Sequence, residues 1–152
     1  MNLQEELKAL KERIAELEEQ AKEEQEFPQD GDIYWYISLY GAICCESWDG
    51  DNIETYMLGV GNVYKTEQEA EFAVEKMKVE AELRKYSRPF KEGENENWFI
   101  LWGTYKKEVQ IDWSRKLVRQ GTIYFESREK ANEAVESVGE ERIKKYIFGV
   151  ED

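Results

Sequence analysis

The stretch GNVYKTEQEAEFAVE at residues 61–75 returns, with one inserted residue, as GTIYFESREKANEAVE at residues 121–136. Glu69-Ala70-Glu71-Phe72-Ala73-Val74-Glu75 lies over Lys130-Ala131-Asn132-Glu133-Ala134-Val135-Glu136, and Gly61 to Thr66 lies over Gly121 to Ser127. The agreement extends upstream, where Asn97-Trp98-Phe99-Ile100 echoes Tyr34-Trp35-Tyr36-Ile37 and Ile111-Asp112-Trp113 echoes the turn at Trp48. Self-similarity at about 60 residues marks an internal duplication, each copy being one supersecondary unit.

Within the first copy, Ile33 to Tyr40 is rich in β-branched and aromatic residues and ends at Gly41, which predicts a strand with Ala42 to Trp48 as its hairpin partner. A third strand is expected around Ile53 to Leu58 and a fourth around Asn62 to Tyr64. Thr66 and Glu69 then form a capping-box pattern that opens a helix. Its apolar side carries Ala70, Ala73, Val74, Met77, Ala81 and Leu83, and it ends near Arg88-Pro89. Each unit therefore reads β-β-β-(β)-α, with Trp35 and Trp98 expected in the core. The domains are residues 27–90 and 97–152, joined by the connector Lys91 to Glu96. The tail Arg142 to Val150 adds a helical turn or an edge strand.

Upstream, Leu3, Leu7, Leu10, Ile14, Leu17 and Ala21 recur at alternating spacings of four and three, the heptad seam of a coiled coil over residues 1–26. With Leu3, Leu10 and Leu17 at d and Leu7, Ile14 and Ala21 at a, the flanking pairs of a parallel dimer are Glu6 with Lys11 and Arg13 with Glu18. Both pairs attract, which points to homo-oligomerisation rather than a solvated helix lying on the body. The fold class is thus α+β: two tandem antiparallel-sheet-plus-helix repeats preceded by an N-terminal coiled-coil helix.

Composition limits the chemistry. The 152 residues hold 34 acids, 21 bases and no histidine, a formal charge of −13, which argues against long nucleic acids and anionic membranes as partners. Without histidine there is no Ser-His-Asp or Cys-His nucleophile and no usual zinc triad, and neither cofactor nor metal is expected. Cys44 and Cys45 are adjacent, a poor spacing for a disulfide, and read as reduced thiols of the cytoplasm. No signal-like leader or apolar run of about 18 residues is visible. No nucleophile or base stands out, so a non-enzymatic role is expected.

Charge is uneven along the chain. Residues 1–26 hold nine acids to four bases, residues 27–96 hold 15 to seven, and residues 97–152 hold ten to ten. In that neutral segment Lys106, Lys107, Arg115, Lys116 and Arg119 interleave with Trp102, Tyr105 and Trp113. Arginine forks bind phosphate and aromatic faces stack on bases, so Trp102, Tyr105, Lys106, Lys107, Trp113, Arg115 and Arg119 are the candidate site for a small nucleotide-type ligand. The opposite pole is Glu46, Trp48, Asp49, Asp51 and Glu54, a turn suited to a basic protein surface. It lacks the spaced ligand set of an EF-hand. Gly59-Val60-Gly61 fails both the dinucleotide fingerprint and the Walker A pattern.

The paired segments running from Gly61 to Tyr86 and from Tyr124 to Val150, the latter with its GEERIKKY element, resemble a broad family of small accessory proteins of phages and prophages of Gram-positive bacteria. The resemblance covers about residues 31–150. It implies a counter-defence protein of the host bacterial cytoplasm that sequesters a nucleotide-type immune signal or, alternatively, an acidic, anti-CRISPR-like inhibitor of a host defence nuclease. It brings no catalytic residues.

Overall fold

The computed structural model describes residues 2–24 and 26–151. The chain is α+β: an N-terminal helix, then two small antiparallel two-stranded sheets, each followed by helices. It divides into two compact units, Met1–Ser38 with Ala42–Thr66, and Glu67–Asp152 with Leu39–Gly41. No helix among the described residues is long and apolar enough to cross a membrane.

In the first unit, α1 (Leu3–Glu23) opens on a capping box in which the Asn2 side chain accepts from the Glu5 amide and the Glu5 carboxylate accepts from the Asn2 amide. These bonds satisfy two of the amides that every helix start leaves open. β1 (Ile33–Ile37) pairs antiparallel with β2 (Ile43–Ser47), and Trp35 faces Cys45. The outer edge of β1 is also paired, since Trp35 and Tyr64 exchange both backbone hydrogen bonds, at 2.9 and 2.8 Å. Two residues along, the Asn62 amide replaces a strand, accepting from the Ile37 N–H and donating to the Ile37 carbonyl, both at 2.8 Å.

The strand expected at Ile53 to Leu58 is instead α2 (Asn52–Gly59). Its β-forming composition yields to a second capping box, with Asp51 accepting from the Glu54 amide at 2.8 Å and Glu54 accepting from the Asp51 amide. The strand expected at Asn62 to Tyr64 shrinks to the single Tyr64 bridge.

The second unit repeats the frame. β3 (Asn97–Gly103) pairs with β4 (Glu108–Ser114), and Trp98 exchanges both backbone bonds with Phe125, as Trp35 does with Tyr64. The hairpin partner of Trp98 is Trp113, so the residue of the first copy equivalent to Trp113 is Cys45 and not Trp48. Neither Trp35 nor Trp98 is fully buried; the buried strand residues are their neighbours Tyr34, Asn97 and Phe99.

α4 (Arg128–Val138) and α5 (Glu140–Tyr146) cover one face of this hairpin, and α3 (Glu67–Arg84) packs against both helices. The tail is therefore helical as far as Tyr146, with Ile147 to Val150 beyond the helix. Val79, Leu83, Phe125, Ala131, Ala134, Val138 and Ile143 form the core, with Trp98, Ile100, Val109 and Ile111 packed against it. Glu82 of α3 receives a forked hydrogen bond from Arg142 of α5 at 2.8 and 3.1 Å, which holds its carboxyl below the usual range.

The α3 surface departs from expectation. Ala70 and Val74 are buried, as are Val79 and Leu83, whereas Met77 and Ala81 are exposed. At 100° per residue the first pair and the second lie about 180° apart, so the helix buries opposite faces in its two halves.

Candidate functional site

Alternation along β3 sorts the second unit's aromatic residues between two faces. Trp98, Ile100 and Trp102, with Val109, Ile111 and Trp113 across the hairpin, belong to the helix-covered face. Asn97 and Phe99 belong to the other, where Tyr124 stands edge-on to Phe99 at 6.2 Å and to Phe90 at 5.1 Å.

On that second face lies a groove of about 470 Å³, whose lining includes Arg84, Arg88, Phe90, Arg119, Thr122 and Tyr124 and no carboxylate. Its cations are held in place by the fold. Arg119 lies over the Phe99 ring at 4.5 Å, and its amide donates to the Tyr124 hydroxyl at 2.7 Å. Arg88 pairs its backbone amide with the Tyr124 carbonyl at 2.9 Å. Its guanidinium donates to Asn97 Oδ1 at 2.7 Å, the Glu96 carbonyl at 2.8 Å and the Pro89 carbonyl at 3.0 Å. All three acceptors are neutral, so the Arg88 charge keeps its field. Among the described residues neither Arg88 nor Arg119 has a carboxylate within ion-pair distance, whereas Arg84 lies 3.5 Å from Glu80.

The residues singled out from the sequence do not share one pocket. Arg119 lines the groove. Trp113, 40% exposed, stacks with Arg115, whose guanidinium lies 5.2 Å from the ring and 3.5 Å from Glu96. Trp102 packs on Phe148 at 6.4 Å on the helix-covered face. Tyr105, Lys106 and Lys107 form the hairpin turn at the far end from Trp113, with Tyr105 fully open to solvent and Lys107 in the left-handed region at φ 54°. Arg84 and Arg88 are the cations that sequence reading missed. They stand more than 30 positions before Arg119, and only the Arg88–Tyr124 pairing brings them to it.

In the acidic turn of the first unit Glu54 is turned inward, whereas Glu46, Asp49 and Asp51 are exposed and Trp48 is half-buried. Glu54 is 4% exposed and accepts from the Asp49 amide at 2.9 Å, from the Asp51 amide and from the Tyr34 hydroxyl. Asp51 caps α2, Trp48 packs edge-on to Tyr34 at 5.4 Å, and Glu46 accepts from the Tyr36 hydroxyl at 3.3 Å. Burial works to raise the Glu54 carboxyl, but the hydrogen bonds from Tyr34, Asp49, Asp51 and Gly50 outweigh it and hold the group below its usual value. The Tyr34 hydroxyl is driven far up, by burial first and by Glu54 second.

Both shifts contribute to the pH dependence of this unit's stability. Glu54 contributes stability above its ordinary value of 4.5 that is lost as pH falls through the lowered one, and Tyr34 contributes stability below its ordinary value of 10.0 that is lost as pH rises above it. Glu54→Gln is expected to lower the melting temperature at neutral pH and to flatten the acid side of its pH profile, measured by calorimetry. An acid limb as steep as the wild type's would remove Glu54 as its source.

Comparison of the chain with protein-family models, with curated proteins and with solved structures finds no match. Among the described residues no cluster of three or more cysteine or carboxylate side chains is placed to hold a metal ion.

Proposed function

We propose that the chain is a non-enzymatic binding protein that holds a small phosphate-bearing, nucleotide-type ligand in the groove formed by Arg84, Arg88 and Arg119. The observation that carries this reading is a groove with three arginines and no lining carboxylate in a chain of net charge −13. Guanidinium forks match phosphate oxygens bidentately, and Phe90 supplies an apolar wall. A short ligand suits the charge balance, because a long polyanion also meets the repulsion of the acidic remainder. In the counter-defence role that the phage resemblance implies, such binding sequesters a nucleotide signal in the host cytoplasm. The alternative, an acidic inhibitor of a basic nuclease, keeps Glu46, Asp49 and Asp51 exposed at that turn but loses Glu54, which is buried.

Titration calorimetry with AMP, a cyclic dinucleotide and inorganic pyrophosphate tests the proposal. Arg119→Ala and Arg84→Ala are each expected to weaken binding about tenfold or more, and Arg115→Ala to leave it unchanged. Loss confined to Arg115→Ala moves the site to the Trp113 edge. Absence of binding by all three probes overturns the proposal.

A further inference from the structure

We propose that the apolar seam of α1 is covered by a second copy of the same helix, parallel and in register. Leu3, Leu7, Leu10, Ile14 and Leu17 are 83, 53, 61, 54 and 47% exposed, and no residue of α1 is buried. The helix runs 21 residues, about 30 Å, with its whole apolar stripe facing solvent. Among the described residues its own chain supplies end and surface stabilisation, the Asn2–Glu5 capping box and an Arg13–Glu16 pair at 3.1 Å. Each adds little to a helix of marginal length, so the stripe requires an apolar cover.

Charge selects the occupant and its direction. In a parallel pair Glu6 meets Lys11 of the other helix and Arg13 meets Glu18, and the two-fold axis repeats both attractions. In an antiparallel pair with the same seam, Leu7 faces Leu17 and Leu10 faces Ile14, which brings Lys11 against Lys11 and Arg13 against Arg13. Ile14 at an a position among leucines at d favours two strands. A second copy therefore completes both the apolar seam and its charged rims, independently of any ligand in the arginine groove.

Sedimentation equilibrium of the full chain at about 100 μM is expected to give twice 18.0 kDa, and Leu10→Glu to give a monomer with unit 2 still folded. A monomeric or trimeric wild type overturns the proposal. For direction, Leu3→Cys with Cys44→Ser and Cys45→Ser is expected to form an intermolecular disulfide, because an antiparallel pair holds the two sites about 27 Å apart. Glu6→Lys is expected to raise the dimer Kd about tenfold, and adding Lys11→Glu to restore it. A dimer that does not cross-link, or one indifferent to Glu6→Lys, overturns the parallel register.

Discussion

Asn97→Ala is expected to destabilise the second unit by about 2–4 kcal/mol and to loosen the arginine groove with it. Asn97 is fully buried and uses both ends of its amide. Oδ1 accepts from Arg88 and from the Lys91 amide, and Nδ2 donates to the carbonyls of Lys91 and Ser114 at 2.9 and 3.1 Å. Truncation leaves buried donors and acceptors unpaired, a larger penalty than a hydrogen bond's net worth. Asn97→Asp separates the two functions. It keeps an acceptor for Arg88 but gives up the donations, and it neutralises Arg88 toward an incoming phosphate. Asn97→Asp is therefore expected to lose more nucleotide affinity than its stability loss explains, measured by calorimetric titration beside denaturant unfolding. Equal affinity in wild type and Asn97→Asp would show that Arg88 contributes no field to the groove.

Phe125→Ala carries the largest expected stability loss, about 3–5 kcal/mol. Phe125 is fully buried where α3, α4 and α5 meet the hairpin, and its backbone closes the outer edge of β3. Against a total of roughly 5–15 kcal/mol for a domain, this lowers the melting temperature of unit 2 by more than about 10 °C. The equivalent residue of the first copy, Tyr64, is only half-buried, and Tyr64→Ala is expected to lose less. A loss at Phe125 no larger than that at Tyr64 would show that the deeper burial of the Phe125 ring adds nothing to its contribution.

The repeat was legible because Trp35 and Trp98 occupy matching places in the alignment and in the two bridges; their bridge partners Tyr64 and Phe125 are offset by one residue in the Gly-x-x-Tyr element, where the insertion falls. The heptad stripe of α1 and the single-faced α4, with Ala131, Ala134 and Val138 inward, follow the same local logic. Two elements escaped because competing signals were weighed wrongly or act at long range. Ile53 to Leu58 has strand-like composition, and the D-x-x-E box that makes it a helix opens at Asp51, before that run, and closes at Glu54 within it. The helix α3 has no single apolar period, since its halves bury opposite faces. The groove was the least legible feature. Interleaving of Arg115 and Arg119 with aromatic residues marked the segment that contributes Arg119 to the groove. The hairpin's alternation then sends their neighbours to different faces, and the other two arginines arrive through a pairing between Arg88 and Tyr124.

Trp98 and Trp113 sit directly across the hairpin, with ring centroids 6.3 Å apart and planes inclined at 48°. Because Trp98 spends its backbone bonds on Phe125, the two indoles occupy a non-hydrogen-bonded pair, where opposite side chains approach most closely. Transition dipoles at that separation couple, so the circular dichroism of the native chain is expected to carry an excitonic couplet superposed on its helical bands. Optical helix content is thereby offset from the true value, and the same couplet supplies a label-free signal for closure of the second hairpin.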